Sequence, residues 1–253
     1  MGRGTVSDPV LYRLPGLSPM LRSLYDAAGD MARVAELPSD AATPATPAPV
    51  EAAIDLRDYA FDPAFHGVAM IDFFLGRLGI DAGTVPSAAR RNTWLAPRLP
   101  HLPAWDRAGP VLLCPNASMP LRDMPDQVRD AMMRHLGGRG VAVTVEAHEP
   151  DIEALAAGVR RSCVVISTDT AMVHLADAMA VPCIAFFPTH DPALRVRDYP
   201  LCRPVRLPAD LPPGLEFARD ERDVAAARAA WFRPGLDWIG PVLDAALLPT
   251  GVP

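Results

Sequence analysis

Short apolar runs alternate with amphipathic stretches through the second half of the chain. Four runs are each long enough for one buried strand: 111–114, 141–145, 163–167 and 182–187. Helical spacing follows the first three of them: 126–136, which Gly137 and Gly138 close, then 152–159 and 171–180. Strands that alternate with short helices pair in parallel through right-handed crossovers. The pattern therefore predicts a doubly wound α/β sheet, which binds ligands beyond the carboxyl ends of its strands.

The first half of the chain has a weaker pattern. Its predicted elements are a strand over 9–14, a helix that begins at Ser18-Pro19, a buried strand over 52–56 and a helix over 68–79 that ends at Gly79. Residues 37–50 and 92–109 are rich in proline and predict irregular connections. Because the pattern changes after the second connection, we predict an N-terminal domain over 1–103 and a C-terminal domain over 110–253.

Charge and cysteine usage narrow the function classes. The net charge of −6 gives no basic surface of the kind that binds nucleic acid. Cys114, Cys163 and Cys183 lie in or beside apolar runs, and the four cysteines lack the spacing of a metal site. We therefore expect reduced thiols, a cytoplasmic location and no metal ion. No apolar run approaches the roughly 20 residues of a membrane span, which leaves peripheral contact with the inner membrane open.

The boundary between the third predicted strand and its helix carries the clearest chemistry. Residues 166–176 read ISTDTAMVHLA. The strand should end at Ser167, so that Thr168 or Asp169 can cap the helix that follows. A small polar turn of this kind, at the carboxyl end of a parallel strand, lies where a doubly wound sheet binds its ligand.

The first turn of that helix predicts an anion site. The backbone N–H groups of Thr170, Ala171 and Met172 should be free at the helix N-terminus, where the helix dipole also favours negative charge. The small Ala171 would let a phosphate approach the main chain, and the Thr170 hydroxyl can add a donor. His174 faces roughly the same side one turn later. The alternative is an ordinary capped helix with His174 as a core histidine.

The stretch 169–182, with the pattern DTA-x-x-HLA-x-A-x-x-x-P, resembles a known family. It is similar to the donor-binding stretch of family nine glycosyltransferases, the ADP-heptose:lipopolysaccharide heptosyltransferases and their relatives. The resemblance implies a GT-B fold of two Rossmann-like domains with parallel sheets. It also implies contact with the donor diphosphate for five residues: Asp169, Thr170, Ala171, Met172 and His174.

A second stretch, residues 111–125, looks like the opening strand and loop of the family's C-terminal domain. By this resemblance Asn116 and Ser118 would lie at the carboxyl end of the strand and hydrogen-bond the donor. Arg122 takes the basic position and could neutralise the diphosphate with its planar fork, unless it is a solvated surface charge. Met124 stands where the family more usually has an aromatic residue.

Other matches leave alternatives open. The family binds the donor ribose with an acidic residue after the second strand, and here both Glu146 and Glu149 qualify, with a preference for Glu149. Thr189 and His190 resemble the family's loop after the Pro-led strand and would lie at the same sheet edge as Asp169. Three arginines could bind phosphate or an anionic acceptor, although a solvated face is the simpler interpretation: Arg195, Arg197 and Arg203.

The N-terminal half departs from the family pattern. Family members open with a strand, a Gly-rich turn and a helix near the catalytic base, whereas residues 1–5 run directly into what looks like the second strand. We therefore expect an incomplete N-terminal domain, an exposed sheet edge that could pair with a second copy, and weak catalysis. The catalytic base is unassigned. Asp55, Asp58 and Asp62 are candidates by location only.

Together these features predict an enzyme that transfers a heptose or hexose from a nucleoside diphosphate. The acceptor would be a cell-envelope glycan or a lipid-linked glycan, as in lipopolysaccharide biosynthesis. The donor sugar would be the only small-molecule partner, with no separate cofactor. One alternative is a catalytically inactive GT-B relative that binds a nucleotide sugar or a protein. Another is a GT-B enzyme of different chemistry, such as a sugar-nucleotide epimerase.

Overall fold

The computed structural model describes residues 10–37, 54, 56, 58–147, 149–212, 214–233 and 235–247. Its N-terminal part begins with a parallel pair of strands, β1 (Val10–Arg13) and β2 (Arg33–Glu36), joined by helix α1 (Pro19–Ala27). Ser18 caps α1 by accepting a hydrogen bond from the N–H of Leu21. Helix α2 (Met70–Arg77) follows. The predicted strand over 52–56 and the connection over 38–50 lie largely outside the described residues.

A second sheet forms the centre of the C-terminal half. Its five parallel strands are β3 (Val111–Cys114), β4 (Val143–Val145), β5 (Val164–Thr168), β6 (Cys183–Phe187) and β7 (Cys202–Arg206). The helices are α3 (Asp126–Gly138), α4 (Ile152–Arg160), α5 (Ala171–Ala178), α6 (Pro192–Arg195), α7 (Glu221–Ala230) and α8 (Ile239–Leu247). The strand order is β4-β3-β5-β6-β7, so the predicted parallel, doubly wound sheet is confirmed.

Both faces of this sheet are covered, which explains the continuous apolar runs of its strands. Alternate residues of β3 point to opposite faces. Val111 and Leu113 pack with α3, α8 and Trp231, whereas Leu112 and Cys114 pack with α4 and α5. The apolar core therefore lies on both sides of β3, β5 and β6, and it holds the carboxyl ends of these strands in place.

Two details of the C-terminal half differ from the sequence prediction. Helix α3 does not stop at the glycine pair but continues through Gly138, and the chain turns at Gly140, where φ is +72°. Glycine destabilises a helix interior by only about 1 kcal/mol, so packing of the preceding turns carries the helix onward. Strand β7 was not predicted because its sequence, CRPVR, is largely exposed and contains Pro204, as edge strands tolerate.

Residues 92–109 are irregular, as predicted, but they pack against the C-terminal sheet rather than crossing solvent. Leu95 and Leu99 are buried in the same core as α4 and α5. The indole N–H of Trp105 donates to the carbonyl of Ser162 at 3.0 Å. The segment therefore joins the two halves through apolar contacts. The domain boundaries themselves stay a prediction. In the described ranges, no helix is long and apolar enough to cross a membrane.

Candidate functional site

The strand order reverses between β3 and β5, which places a crevice beyond their carboxyl ends. The polar residues predicted from the sequence lie at this edge. Asn116 and Ser118 follow β3 and are exposed, and Ala171, the first residue of α5, is exposed as well. The loop after β3 and the start of α5 therefore both open to the position where such sheets bind ligands.

The start of α5 is capped differently from the prediction. Thr170, rather than Thr168 or Asp169, is the N-cap residue, and its hydroxyl accepts a hydrogen bond from the N–H of Met172 at 3.2 Å. Thr168 is the last residue of β5 and is buried. The N–H of Met172 is thus engaged within the cap, whereas the N–H of exposed Ala171 precedes the first intrahelical bond. The helix start remains accessible to an anion.

Asp169 does not cap α5, because its carboxylate is part of an ion cluster. The other members of this ion cluster are His190, Glu216, Arg195 and Arg122. Oδ2 of Asp169 lies 2.6 Å from Nδ1 of His190, and Nε2 of His190 lies 3.1 Å from Oε1 of Glu216. Burial alone would lower the pKa of His190, but the hydrogen bond to Asp169 and the nearby carboxylate of Glu216 raise it. Burial would raise the pKa of Asp169, but the hydrogen bond from His190 lowers it. The two groups therefore stabilise each other as an ion pair.

Glu216 is the centre of this ion cluster, and it was missed in the sequence. It lies in the proline-rich stretch 207–220, which has no helix or strand periodicity to mark it. Its carboxylate is 2.9 Å from Arg195 and 3.5 Å from Arg122, in addition to His190. These cations outweigh burial and lower the pKa of Glu216 to about 2. With Asp169 included and His190 protonated, three cations face two carboxylates.

Arg122 connects this ion cluster to the loop after β3. The guanidinium donates to the hydroxyl of Ser118 at 3.3 Å, and its side chain is 16% exposed. Asp123 holds the loop closed by accepting from the N–H of Ala117 at 2.7 Å. Met124 is buried in the core against α3. Arg122 is therefore an anchored cation at the crevice rather than a solvated charge.

His174 lies one turn along α5, in a second hydrogen-bonded group. Its Nδ1 is 2.7 Å from the hydroxyl of Tyr199, which also accepts from the side-chain amide of Asn92 at 2.6 Å. Burial lowers the pKa of His174. The ring is partly exposed, and its Nε2 has no hydrogen-bond partner among the described residues. His174 is thus a positioned side chain with one open nitrogen.

The two candidate ribose-binding glutamates occupy different places. Glu146 directly follows β4, and its N–H donates to the carbonyl of Leu113 at 2.8 Å. Burial beside Cys114 raises the pKa of Glu146. Glu149 lies farther along the loop and is partly exposed. The structure therefore places Glu146 directly at the edge of the sheet. The preference for Glu149 as the ribose-binding residue stays a prediction from the sequence. His148 lies outside the described residues.

The three arginines near the C-terminal edge do not form one solvated face. Arg195 is buried, with its guanidinium 4.5 Å from the ring centroid of Phe65. Arg197 pairs with Asp72 and Asp198, whereas Arg203 is exposed. Burial of Arg195 follows from its pairing with Glu216, because a buried guanidinium requires a carboxylate partner.

Two acidic candidates of the N-terminal half, Asp58 and Asp62, make no contact with this ion cluster. Asp62 caps a short helical turn by accepting from the N–H of Ala64 at 2.9 Å. Asp58 is exposed at the start of the preceding turn, and Asp55 lies outside the described residues. Among the described residues, no group of three or more histidine, cysteine, aspartate and glutamate side chains is placed to hold a metal ion.

Comparison with known proteins supports the architecture. No family model matches the sequence, and no curated protein sequence matches it. The structure is similar to TibC, a dodecameric iron-containing heptosyltransferase in complex with ADP-D-β-D-heptose, with a TM-score of 0.56 and 13% identity, covering 94% of this chain and 76% of that one. A second structure of TibC, an iron-containing dodecameric glycosyltransferase from enterotoxigenic E. coli H10407, gives a TM-score of 0.57 and 14% identity, covering 97% and 81%. At this identity the likeness shows the fold: this chain has the α/β, parallel-sheet fold of GT-B heptosyltransferases, as the sequence predicted.

Proposed function

We propose that this chain is a family nine-like glycosyltransferase that binds a nucleoside-diphosphate sugar beyond the carboxyl ends of β3 and β5. The observation that carries the proposal is the accessible start of α5 beside the guanidinium of Arg122, which the ion cluster holds in place. A diphosphate needs both features, namely backbone N–H groups with the positive end of a helix dipole and a nearby guanidinium fork. ADP-heptose, which the complex with TibC contains, is the first donor to test.

The same groups suit the chemistry of transfer. When the anomeric carbon is attacked, negative charge develops on the departing diphosphate, and fixed dipoles and cations stabilise it. Arg122 and the N–H of Ala171 would supply that stabilisation, with Thr170 and His174 completing the contact, whereas the N–H of Met172 already donates to the Thr170 hydroxyl. Asn116 and Ser118 would hydrogen-bond the donor, and Glu146 or Glu149 its ribose. The proposal requires no cofactor besides the donor.

The acceptor proton must be taken by a group outside the ion cluster. A general base works best with a pKa near the operating pH. Glu216 has a pKa of about 2 and the pKa of Asp169 is lowered, because His190 and the arginines hold both as anions. Both are therefore weak bases, and His190 is buried with each ring nitrogen beside a carboxylate, so it is not accessible to an acceptor. Asp58 and Asp62 stay candidates by location on the acceptor side.

We propose a cell-envelope glycan or a lipid-linked glycan as acceptor, reached at the cytoplasmic side of the inner membrane. The exposed residues of β1 favour self-association, because Leu11 and Tyr12 are each 39% exposed on a strand of a two-stranded sheet. The alternative function is binding of a nucleotide sugar without transfer, which the absence of a suitable base within the ion cluster favours. A transfer assay with ADP-heptose separates the two.

Arg122 provides the sharpest test of the donor site. Replacement by alanine removes a charged hydrogen-bond donor worth about 1.5–3 kcal/mol, so ADP should bind at least tenfold more weakly, whereas adenosine should bind as before. Isothermal titration calorimetry of both ligands measures the difference. Arg139→Ala is the matched control, since Arg139 follows α3 at the opposite edge of the sheet and pairs with Asp244. Equal losses for ADP and adenosine would contradict a role for Arg122 at the diphosphate.

A further inference from the structure

Three side chains form a continuous hydrogen-bonded line from the segment 92–109 to α5. The side-chain nitrogen of Asn92 lies 2.6 Å from the hydroxyl oxygen of Tyr199, and that oxygen lies 2.7 Å from Nδ1 of His174. Both distances are short, and Tyr199 is buried. Since Tyr199, the central member, is shielded from bulk water, the direction of each hydrogen bond follows from the donor and acceptor capacities of the three groups.

The direction of the line is determined by its first member. An amide nitrogen can only donate, so Asn92 donates to the oxygen of Tyr199. The single hydroxyl proton of Tyr199 is then left for Nδ1 of His174. Burial raises the pKa of Tyr199 to about 12, which keeps that proton on the hydroxyl at neutral pH. Nδ1 of His174 is therefore an acceptor.

A neutral imidazole that accepts at one nitrogen carries its proton on the other. Burial lowers the pKa of His174, which keeps the ring neutral at physiological pH. The proton is then on Nε2, the nitrogen with no partner among the described residues. His174 lies four residues after the N-cap Thr170, so it faces the same side of α5.

We propose that Asn92 and Tyr199 are positioning residues that hold His174 as the neutral Nε2–H tautomer and present this N–H to the anion site at the start of α5. The inference rests on the proposed function for the identity of that anion, a diphosphate. The tautomer itself follows from the hydrogen bonds among Asn92, Tyr199 and His174 and does not depend on the identity of the anion. An Nδ1–H tautomer would instead direct a lone pair at the phosphate oxygens and repel them.

The main chain around Asn92 is also held in place, which keeps the amide aligned. Asp177 of α5 accepts from the N–H of Asn92 at 3.1 Å and from Nε of Arg91 at 2.9 Å. The side chain of Asp177 is 1% exposed. Both ends of the line are therefore attached to the same helix, His174 within it and Asn92 through Asp177.

The experiment reverses the direction of the two hydrogen bonds without removing either of them. Asn92→Asp replaces the amide by a carboxylate of the same shape that can only accept, so Tyr199 must donate to it and accept from Nδ1–H of His174. Long-range ¹H–¹⁵N correlation spectra of the full chain at pH 8.5, with the signal assigned by His174→Gln, report which nitrogen carries the proton. We expect Nε2–H in the parent chain, Nδ1–H in Asn92→Asp and a mixture in Tyr199→Phe.

Binding of ADP to the same samples gives the second measurement. Asn92→Asp should weaken it about tenfold, since a hydrogen bond to a charged group is replaced by a repulsive contact. An Nδ1–H ring in the parent chain, or an unchanged Nε2–H ring in Asn92→Asp, would overturn the inference. A parent chain that shows the Nε2–H ring and the reversal but binds neither ADP nor inorganic pyrophosphate would overturn the proposed function instead.

Discussion

At the scale of single residues, the buried charges are explained by mutual compensation. Placing Asp169, His190 and Glu216 in the interior would cost several kcal/mol for each isolated ion. Each instead contacts an opposite charge, at 2.6 Å between Asp169 and His190 and 3.1 Å between His190 and Glu216. His190 is the member whose ordinary pKa lies nearest to neutral pH. Its protonation therefore links this ion cluster to pH.

We predict that the free energy of unfolding decreases as the pH rises above about 6.5. The folded-state pKa of His190 is raised above its unfolded value of about 6.5. A raised pKa contributes stability that is fully present below the unfolded value and is lost as the pH rises through the folded one. Urea unfolding between pH 6 and 9 measures the slope, which His190→Gln should flatten.

His135→Gln is the control for this slope, because His135 pairs with the partly exposed Asp244 at the far side of the C-terminal half. A slope that persists in His190→Gln but disappears in His135→Gln would assign the pH dependence to the pair of His135 and Asp244 and contradict the prediction. At acid pH the sign is opposite for Glu216. Its lowered pKa contributes stability that is present above about 4.5 and is lost toward about 2.

At the scale of elements, the start of β3 depends on a close approach of two backbones. A Cβ atom at Gly109 would collide with the backbone carbonyl of Arg161, just before the residues where β3 and β5 begin to pair. Cys163 donates its N–H to the carbonyl of Pro110 at 3.0 Å in the same region. Gly109 is therefore needed for its lack of a side chain rather than for a special backbone angle.

We predict that Gly109→Ala destabilises the chain by about 1–3 kcal/mol, the usual cost of overpacking. Gly158→Ala is the matched control, since Gly158 lies within α4 with open space around its Cβ position. Alanine there should stabilise by about 0.5–1 kcal/mol because glycine is the poorer helix former. Urea unfolding of both variants measures the two effects. Equal stability changes of the same sign would contradict the close approach.

At the scale of the whole molecule, the segment 87–99 joins the N-terminal half to the C-terminal sheet. Arg91 pairs with the buried Asp177 at 2.8 Å, and Leu95 and Leu99 enter the core. Phe61 and Phe217 add a second contact between the halves, with ring centroids 5.4 Å apart and planes at 16°. These contacts predict that both halves unfold together.

We predict that Arg91→Ala destabilises the chain by about 3 kcal/mol, because it leaves Asp177 as a buried carboxylate without its cation. Arg129→Ala should cost less than about 1 kcal/mol, since Arg129 pairs with Asp126 and Asp130 at the surface. Urea unfolding followed by tryptophan fluorescence and by circular dichroism measures both. A loss in Arg91→Ala no larger than in Arg129→Ala would show that the pair does not hold the halves together.

The sequence by itself determined four of the five strands of the C-terminal sheet and the position of the candidate site beside them. Strands buried on both faces appear as continuous apolar runs, and helices between them leave only parallel pairing. The strands β3, β5 and β6 and the start of α5 at Ala171 were therefore predictable within a residue or two. Local polar residues after these strands marked the crevice, because the carboxyl ends of parallel strands meet at one edge.

Only the tertiary structure decided which side chains meet at the candidate site. Glu216 and Asn92 lie in proline-rich stretches without periodicity, and they reach Arg122 and Tyr199 through contacts 94 and 107 residues apart in the chain (216 − 122 and 199 − 92). No local pattern encodes such distances. The tertiary structure also decided whether Asp169 caps α5 or pairs with His190. A charged histidine stabilises a buried carboxylate more than a helix N–H does. For that reason Thr170 became the cap and Asp169 the ion partner.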